Sequence, residues 1–166
     1  MPDRTPEDRL ENLGLIPAAA LQLPPGASVP LVMARQCGNT LYLSGHGPLN
    51  ADGSLATHLL GTVGKDLTAE QGMEAARLTG LAMIGTLQRE VGDLGRIKAW
   101  IKVLGMVNSA PDFTGHTPII NAFSELIISV FGPECGTAAR SAVGMASLPM
   151  NIPVEVEAII ELNTVR

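Results

Sequence analysis

Apolar residues change their spacing several times along the chain, and each change marks an element. Met73, Ala76, Gly80, Ile84, Leu87 and Val91 recur at steps of three and four and form one stripe. Thr68-Ala-Glu-Gln71 ahead of the stripe is a capping box, and Gly92 behind it is a stop, so a helix is predicted from about residue 68 to Val91. Its small residues Ala75, Ala76, Gly80 and Ala82 would let it dock closely on a sheet. A second helical stripe holds Ile119, Ile120, Phe123, Ile127 and Val130, starting or kinking at Pro118 and ending at Phe131-Gly-Pro133. Strict alternation predicts strands elsewhere. Ile97, Ala99, Ile101 and Val103 would share one face, with Lys98, Trp100, Lys102 and Leu104 on the other. Val154, Val156, Ala158 and Ile160 alternate with Glu155, Glu157, Ile159 and Glu161.

Three further segments complete the outline. Residues 31–36 and 40–44 flank Cys37-Gly38-Asn39 and predict a hairpin. Residues 139–146 read as a strand joined to the last one by a turn over residues 148–153, which would make the two neighbours. Thr5-Pro-Glu-Asp8 opens a short helix that Gly14 closes, and Pro24, Pro25, Gly26 and Pro30 mark a linker. The expected order is β-β-α-β-α-β-β, an α+β protein whose single mixed sheet carries two helices on one face. Residues 1–30 form an N-terminal extension to one domain, 31–166.

Composition narrows the partners. Charged residues are only 16% of the 166, against about 25% in an average domain, and the formal charge is −5. So few charges on so apolar a chain point to contacts between identical subunits. Three lysines, no basic run and one tryptophan disfavour a nucleic-acid partner. No stretch approaches the ~20 apolar residues of a membrane span, so no membrane partner is expected. The start is polar and acidic, unlike a signal peptide, and Cys37 and Cys135 stand apart, which fits a reducing cytoplasm.

Few residues could carry chemistry. Arg140 lies among small apolar residues at a strand start, where its guanidinium could fork onto a planar carboxylate or pair with Glu155 or Glu157. Those two glutamates share a strand face, either solvated or, beside Arg140, able to orient water or accept a proton. Ser44-Gly-His-Gly-Pro48 is either a plain turn or a strand end where a ligand can approach the backbone, with His46 titrating near neutrality. His46, His58 and His116 have no metal-ligand spacing, and no nucleotide loop or Ser/His/Asp set is present, so neither metal nor cofactor is expected.

Arg140-Ser-Ala-Val-Gly-Met-Ala-Ser-Leu-Pro149 followed by Pro153-Val-Glu-Val-Glu-Ala-Ile159 resembles the C-terminal signature of the Rid (YjgF-type, L-PSP) reactive-intermediate deaminases. Cys37-Gly-Asn-Thr-Leu-Tyr-Leu-Ser-Gly45 is similar to the family's first hairpin, and Asp112-Phe113 with Asn121 to its second-helix region. The resemblance implies a chorismate-mutase-like homotrimer with a small-carboxylate cleft between subunits, hydrolysing imines such as 2-aminoacrylate to 2-keto acids and ammonia. It implies that Arg140 holds the carboxylate, Glu155 positions water, and Asn121, Ser44, Gly45, His46 and Ala142 line the cleft. This chain departs from the pattern at Leu31, where the deaminating members have tyrosine, and at Ala142, where they have cysteine. Those departures keep a non-catalytic small-acid-binding trimer open as an alternative, with an RNA-acting protein a distant third.

Overall fold

The computed structural model describes residues 5–23, 26 and 28–164. The proposed linker falls partly on residues 24, 25 and 27, and the acidic start on residues 1–4, all outside the described residues. A short helix α1 (Pro6–Asn12) is followed by β1 (Ala34–Cys37), β2 (Thr40–His46), the long helix α2 (Ala69–Val91) and β3 (Ile97–Asn108). Then come α3 (His116–Phe131), the single turn α4 (Pro133–Gly136), β4 (Ala139–Met145) and β5 (Val154–Leu162). The five strands form one sheet in the order β1-β2-β5-β3-β4. Only β3 and β4 pair in parallel; the other neighbours are antiparallel.

Local chemistry sets the helix ends. Thr68 Oγ1 accepts from the Gln71 amide while Gln71 Oε1 accepts from the Thr68 amide, so both orphan donors are satisfied, and Gly92 closes α2 at φ 76°. Thr5 and Asp8 make the same reciprocal cap on α1. α1 is docked against the body: Leu10 is buried in the core, Arg9 donates to Val130 O and Glu7 accepts from the Leu94 amide.

Helices α2 and α3 cover the sheet face formed by Val154, Val156, Ala158 and Ile160 of β5, all buried. The two helices approach closely because Gly80 has no side chain; a Cβ there would sit 2.6 Å from Leu126 Cδ2. Trp100 fills the far end of the core, its ring centroid 6.0 Å from Phe123 and 5.6 Å from Phe131.

Two expectations need correction. Trp100 faces the core and Ile101 is 44% exposed, the reverse of the predicted faces. The cause is a pair of irregularities in the β3–β5 ladder, between Ile97 and Ala99 and between Trp100 and Lys102, each of which inserts one residue and flips the alternation. The last two strands are not neighbours either: β5 enters between β2 and β3, so β3 separates it from β4.

At the centre of β3, Gly105 lies under Ile120 of α3, and a Cβ there would meet three atoms of that side chain at 2.6 to 2.7 Å. Gly105→Ala is therefore expected to cost roughly 1–3 kcal/mol by overpacking, read from urea unfolding. Ile120→Ala in the same chain should recover part of that loss; additive effects of the two substitutions would disprove the contact's role.

Candidate functional site

Two clusters of the predicted site residues form in the chain, on opposite faces of the sheet. The first is centred on Arg140. Arg140 pairs with the buried Val103 of β3 across the parallel ladder, so its side chain is on the helix-covered face, at the edge strand and beside α3. Its Nη1 donates to Ser124 Oγ at 2.9 Å and its Nη2 to Asn121 Oδ1 at 2.9 Å. Two of the five guanidinium N–H groups are thus fixed by neutral oxygens, which leaves three for a ligand, and the guanidinium borders an opening also lined by Ser124, Thr137 and Ala138. No carboxylate lies within ion-pair distance of Arg140 among the described residues. Asn121 and Ser124 are three apart on α3 and so share one helical face, which is how one helix supplies both anchors. Ala142 follows Arg140 on the same face of β4, half-buried against the core.

The second cluster is centred on Glu155. Glu155 stands opposite Met106, on the uncovered face, and its carboxylate lies over Gly45 of β2 so closely that a Cβ on Gly45 would overlap Glu155 Oε1. Ser44 and Gly45 occupy an irregularity where two residues of β2 lie opposite the single Glu157 of β5, which interrupts the ladder near this carboxylate. Ser44 is committed elsewhere: its hydroxyl donates to Val32 O at 2.7 Å, strapping residues 32–33 to β2. Burial pushes the Glu155 carboxyl above the ordinary carboxylate value, and the charge of Glu157 on the same strand adds to the rise.

The expected neighbourhood of Arg140 and Glu155 does not form within one chain. They are two strands apart and three residues out of register, about 14 Å between backbones, on opposite faces. Neither an internal ion pair nor an intrachain site is possible between them. Glu157 faces Leu104 on the uncovered face as well, in a cavity of about 330 Å³ shared with Arg35, Tyr42 and Lys102.

His46 belongs to a different arrangement. It is 3% exposed beneath α2, with Nδ1 2.7 Å from Ser44 O and Nε2 2.9 Å from Thr86 Oγ1. Ser44 O can only accept, so Nδ1 carries a proton, and Arg89 Nη2 donates to the same Thr86 oxygen that Nε2 meets. This chain ties β2 to α2. Leu31 is exposed at the approach to the hairpin. Among the described residues no three His, Cys, Asp or Glu side chains converge as a metal-ligand set, and no helix is long and apolar enough to cross a membrane.

The pattern of the family described as "YjgF/chorismate_mutase-like, putative endoribonuclease" matches residues 15–162. The chain belongs to the YjgF/Rid family. The Trypanosoma cruzi protein TCP17 is 42% identical over 155 residues, covering 93% of this chain and 92% of its own. Among solved structures, Agrobacterium tumefaciens Atu1372, a protein of unknown function, is 38% identical with a TM-score of 0.82, covering 95% of this chain and 92% of that one. An endoribonuclease-labelled protein of Shewanella oneidensis is 29% identical with a TM-score of 0.83, covering 96% of this chain and 100% of that one. E. coli TdcF, solved with bound serine, shares the fold at 22% identity and a TM-score of 0.54, covering 88% of this chain and 99% of that one. The two higher scores come with near-complete coverage both ways, so this YjgF/Rid chain shares its fold with those two proteins over nearly its whole length.

Sequence reasoning missed Ser124, which holds half of the Arg140 guanidinium. Its spacing from Asn121 was the available signal, legible only once Arg140 is known to face α3.

The buried His46 carries a pH signature. Burial lowers its pKa below the ordinary value; the hydrogen bond to Ser44 opposes this and the Arg89 charge reinforces it. The unfolded chain therefore binds a proton near pH ~6.5 that the folded chain refuses, so stability rises with pH through that window and falls on acidification. Urea midpoints measured from about pH 7.5 down to about 5.5 should fall for the wild type and fall less for His46→Gln. Parallel curves would remove His46 as the source.

Proposed function

We propose that this chain is an imine/enamine deaminase that hydrolyses small carboxylate-bearing imines to 2-keto acids and ammonia, in clefts between the subunits of a homotrimer. The observation that carries this reading is Arg140: a guanidinium oriented by two neutral oxygens, with donors left over and no acid against it. A buried or internally paired arginine would be structural; one anchored from behind and open in front suits a planar carboxylate. The serine bound by TdcF is itself a small amino carboxylate, so the shared fold can accommodate such a ligand.

The separation of Arg140 from Glu155 supports a site shared between copies. One chain would offer Arg140 with Asn121 and Ser124, and its neighbour would offer Glu155 over Gly45. The uncovered sheet face carries the exposed side chains Tyr42, Ile101 and Val143, which suits it for burial against other copies.

The chemistry asks little beyond positioning. The enamine tautomerises to the imine, and Arg140 fixes its carboxylate. Water adds across the C=N bond as Glu155 takes its proton. That proton passes to the nitrogen to give the carbinolamine, whose hydroxyl proton Glu155 then relays to the same nitrogen as the C–N bond breaks, leaving the 2-keto acid and ammonia. A carboxyl with a raised pKa suits both halves of that cycle, because as a carboxylate it takes a proton more readily than an ordinary one, and as an acid it keeps that proton from solvent until the more basic amine nitrogen accepts it. Ala142 puts only a methyl group beside Arg140, which favours the second reading, small-acid binding without turnover. An RNA substrate is disfavoured by the net charge of −5 and by the scarcity of lysines, of which Lys98 and Lys102 already bond to Glu161 and Ser141.

Arg140→Ala should abolish calorimetric binding of pyruvate, and Glu155→Gln should retain binding while slowing hydrolysis of enzymatically generated 2-aminoacrylate by about 10²–10⁴-fold. Mixing the two inactive variants as unfolded chains and refolding them together tests the shared cleft. Random trimers should regain about a quarter of wild-type turnover, since each mixed trimer rebuilds one intact site; an intrachain site would regain none. Pyruvate binding by a wild type that never accelerates 2-aminoacrylate decay would instead select the binding-only reading.

The acid limb of the pH–rate profile reads Glu155. Removing the Glu157 charge eases ionisation of its neighbour, so Glu157→Gln should move that limb to lower pH. An unmoved limb would mean that a different group titrates there.

A further inference from the structure

The row of side chains on the helix face of β4 continues past Arg140 and Ala142 to Gly144, and that end has its own polar corner. Ser109 Oγ and His116 Nε2 are 3.0 Å apart, and a Cβ on Gly144 would lie 2.5 Å from His116 Nε2 and 2.9 Å from Ser109 Oγ. Only glycine leaves this pair open to the row. Ser109 and His116 line a cavity of about 620 Å³ together with Lys65, Thr62 and Phe113, and no aspartate or glutamate lines it. Phe113 packs edge-on against the imidazole at 5.5 Å and holds its plane. The nearby Asp66 carboxylate is occupied by the Thr62 amide at 2.9 Å. α3 begins at this corner with Gly115 as its N-cap and no side chain accepting from its first turn, so the helix dipole favours negative charge at the same place. In a chain of net charge −5, a cavity lined by an ammonium, an imidazole and a hydroxyl without a carboxylate is built for an anion.

Arg140 and Gly144 are four residues apart on one strand face, about 13 Å between their Cα atoms. A hydrogen bond of about 2.9 Å at each end covers nearly half of that gap, and the length of the ligand must supply the rest. A three-carbon keto acid held at Arg140 falls short of Ser109; a five-carbon acid with a carboxylate at each end reaches it. We propose that Lys65, Ser109 and His116 form a distal recognition subsite for a second carboxylate, so that the substrate class is the imine of a five-carbon dicarboxylate and not a three-carbon monoacid. The proposal rests on Arg140 holding the first carboxylate, as argued above.

The test compares two ligands on the intact wild-type protein by calorimetry, pyruvate and 2-ketoglutarate, with variants of each end. The wild type should bind 2-ketoglutarate about tenfold or more tighter than pyruvate, the gain expected of a charge-assisted second contact. Lys65→Met and His116→Gln should each erase most of that gain and leave pyruvate affinity within about twofold. Equal affinities for the two acids in the wild type, or an unchanged 2-ketoglutarate affinity in both variants, overturns the subsite while the Arg140 reading stands. Loss of pyruvate affinity in His116→Gln as well would assign that residue a structural role and likewise overturn it. If Arg140→Ala leaves both affinities intact, the underlying reading fails instead. Should His116→Gln not fold, Lys65→Met on its exposed loop gives the same readout alone.

Discussion

The fold turns on where its last strand goes. β2 and β3 run parallel and are joined by α2, yet they do not touch: β5 lies between them, antiparallel to both. Two strand spacings amount to about 10 Å, close to the width of a helix, so a crossover helix over a one-strand gap is well supported from below. β5 fills that gap with Val154, Val156, Ala158 and Ile160 under the helices, and thereby sends Glu155 and Glu157 to the uncovered face. The same residues that complete the core therefore dictate the address of the carboxylates. A strand that packed at the edge beside β4 would have put Glu155 near Arg140 in one chain, and the proposed cleft would then call for no second copy.

That insertion also explains which parts of the structure could be read from the chain and which could not. The capping box at Thr68, the Gly92 stop and the bounds of β5 follow from local rules, where propensity and periodicity agree. Strand order is a global outcome. The residues between β4 and β5 carry turn chemistry that serves a hairpin or a crossing over one strand equally well, and no local pattern separates the two. Trp100 and Ile101 fail for a related reason: a single inserted residue reverses the alternation, and its signal is a ladder irregularity that exists only against a partner strand. Among the site residues, Arg140 and Asn121 were legible through the family signature, whereas Ser124 needed the direction of the Arg140 side chain. His46 read as a cleft residue because it follows Ser44 and Gly45; its burial depends on α2 crossing above it, supplied forty residues later.

Electrostatics give the two faces different work. The helix-covered edge of β4 gathers Arg140 with neutral oxygens, and the corner beyond it gathers Lys65 and His116 with no acid. The uncovered face gathers Glu155, Glu157 and Glu161, partly offset by Arg35, Lys102 and Lys98, the last of which pairs with Glu161 at 2.9 Å. Within one chain these regions are further apart than the ~8 Å over which exposed charges interact at physiological salt, so each keeps its own character. A chain of net charge −5 can in this way still present an anion-attracting edge.

In the proposed cleft that edge would face a neighbour's Glu155, and this would have a consequence for catalysis. An empty cleft would let the guanidinium pull the facing carboxyl toward its charged form. A substrate carboxylate that takes the guanidinium's free donors removes this pull and adds a like charge nearby, which raises the Glu155 pKa beyond the rise that burial and Glu157 already give it. Substrate binding would thus turn the glutamate from an arginine partner into a proton acceptor strong enough to draw a proton from water. A charged arginine that is anchored by neutral oxygens is what makes such an exchange possible, because Ser124 and Asn121 hold its position without competing for its charge. Had an aspartate stood in place of Asn121, the guanidinium would be oriented equally well and neutralised, and neither the ligand nor the carboxyl across the cleft would feel it.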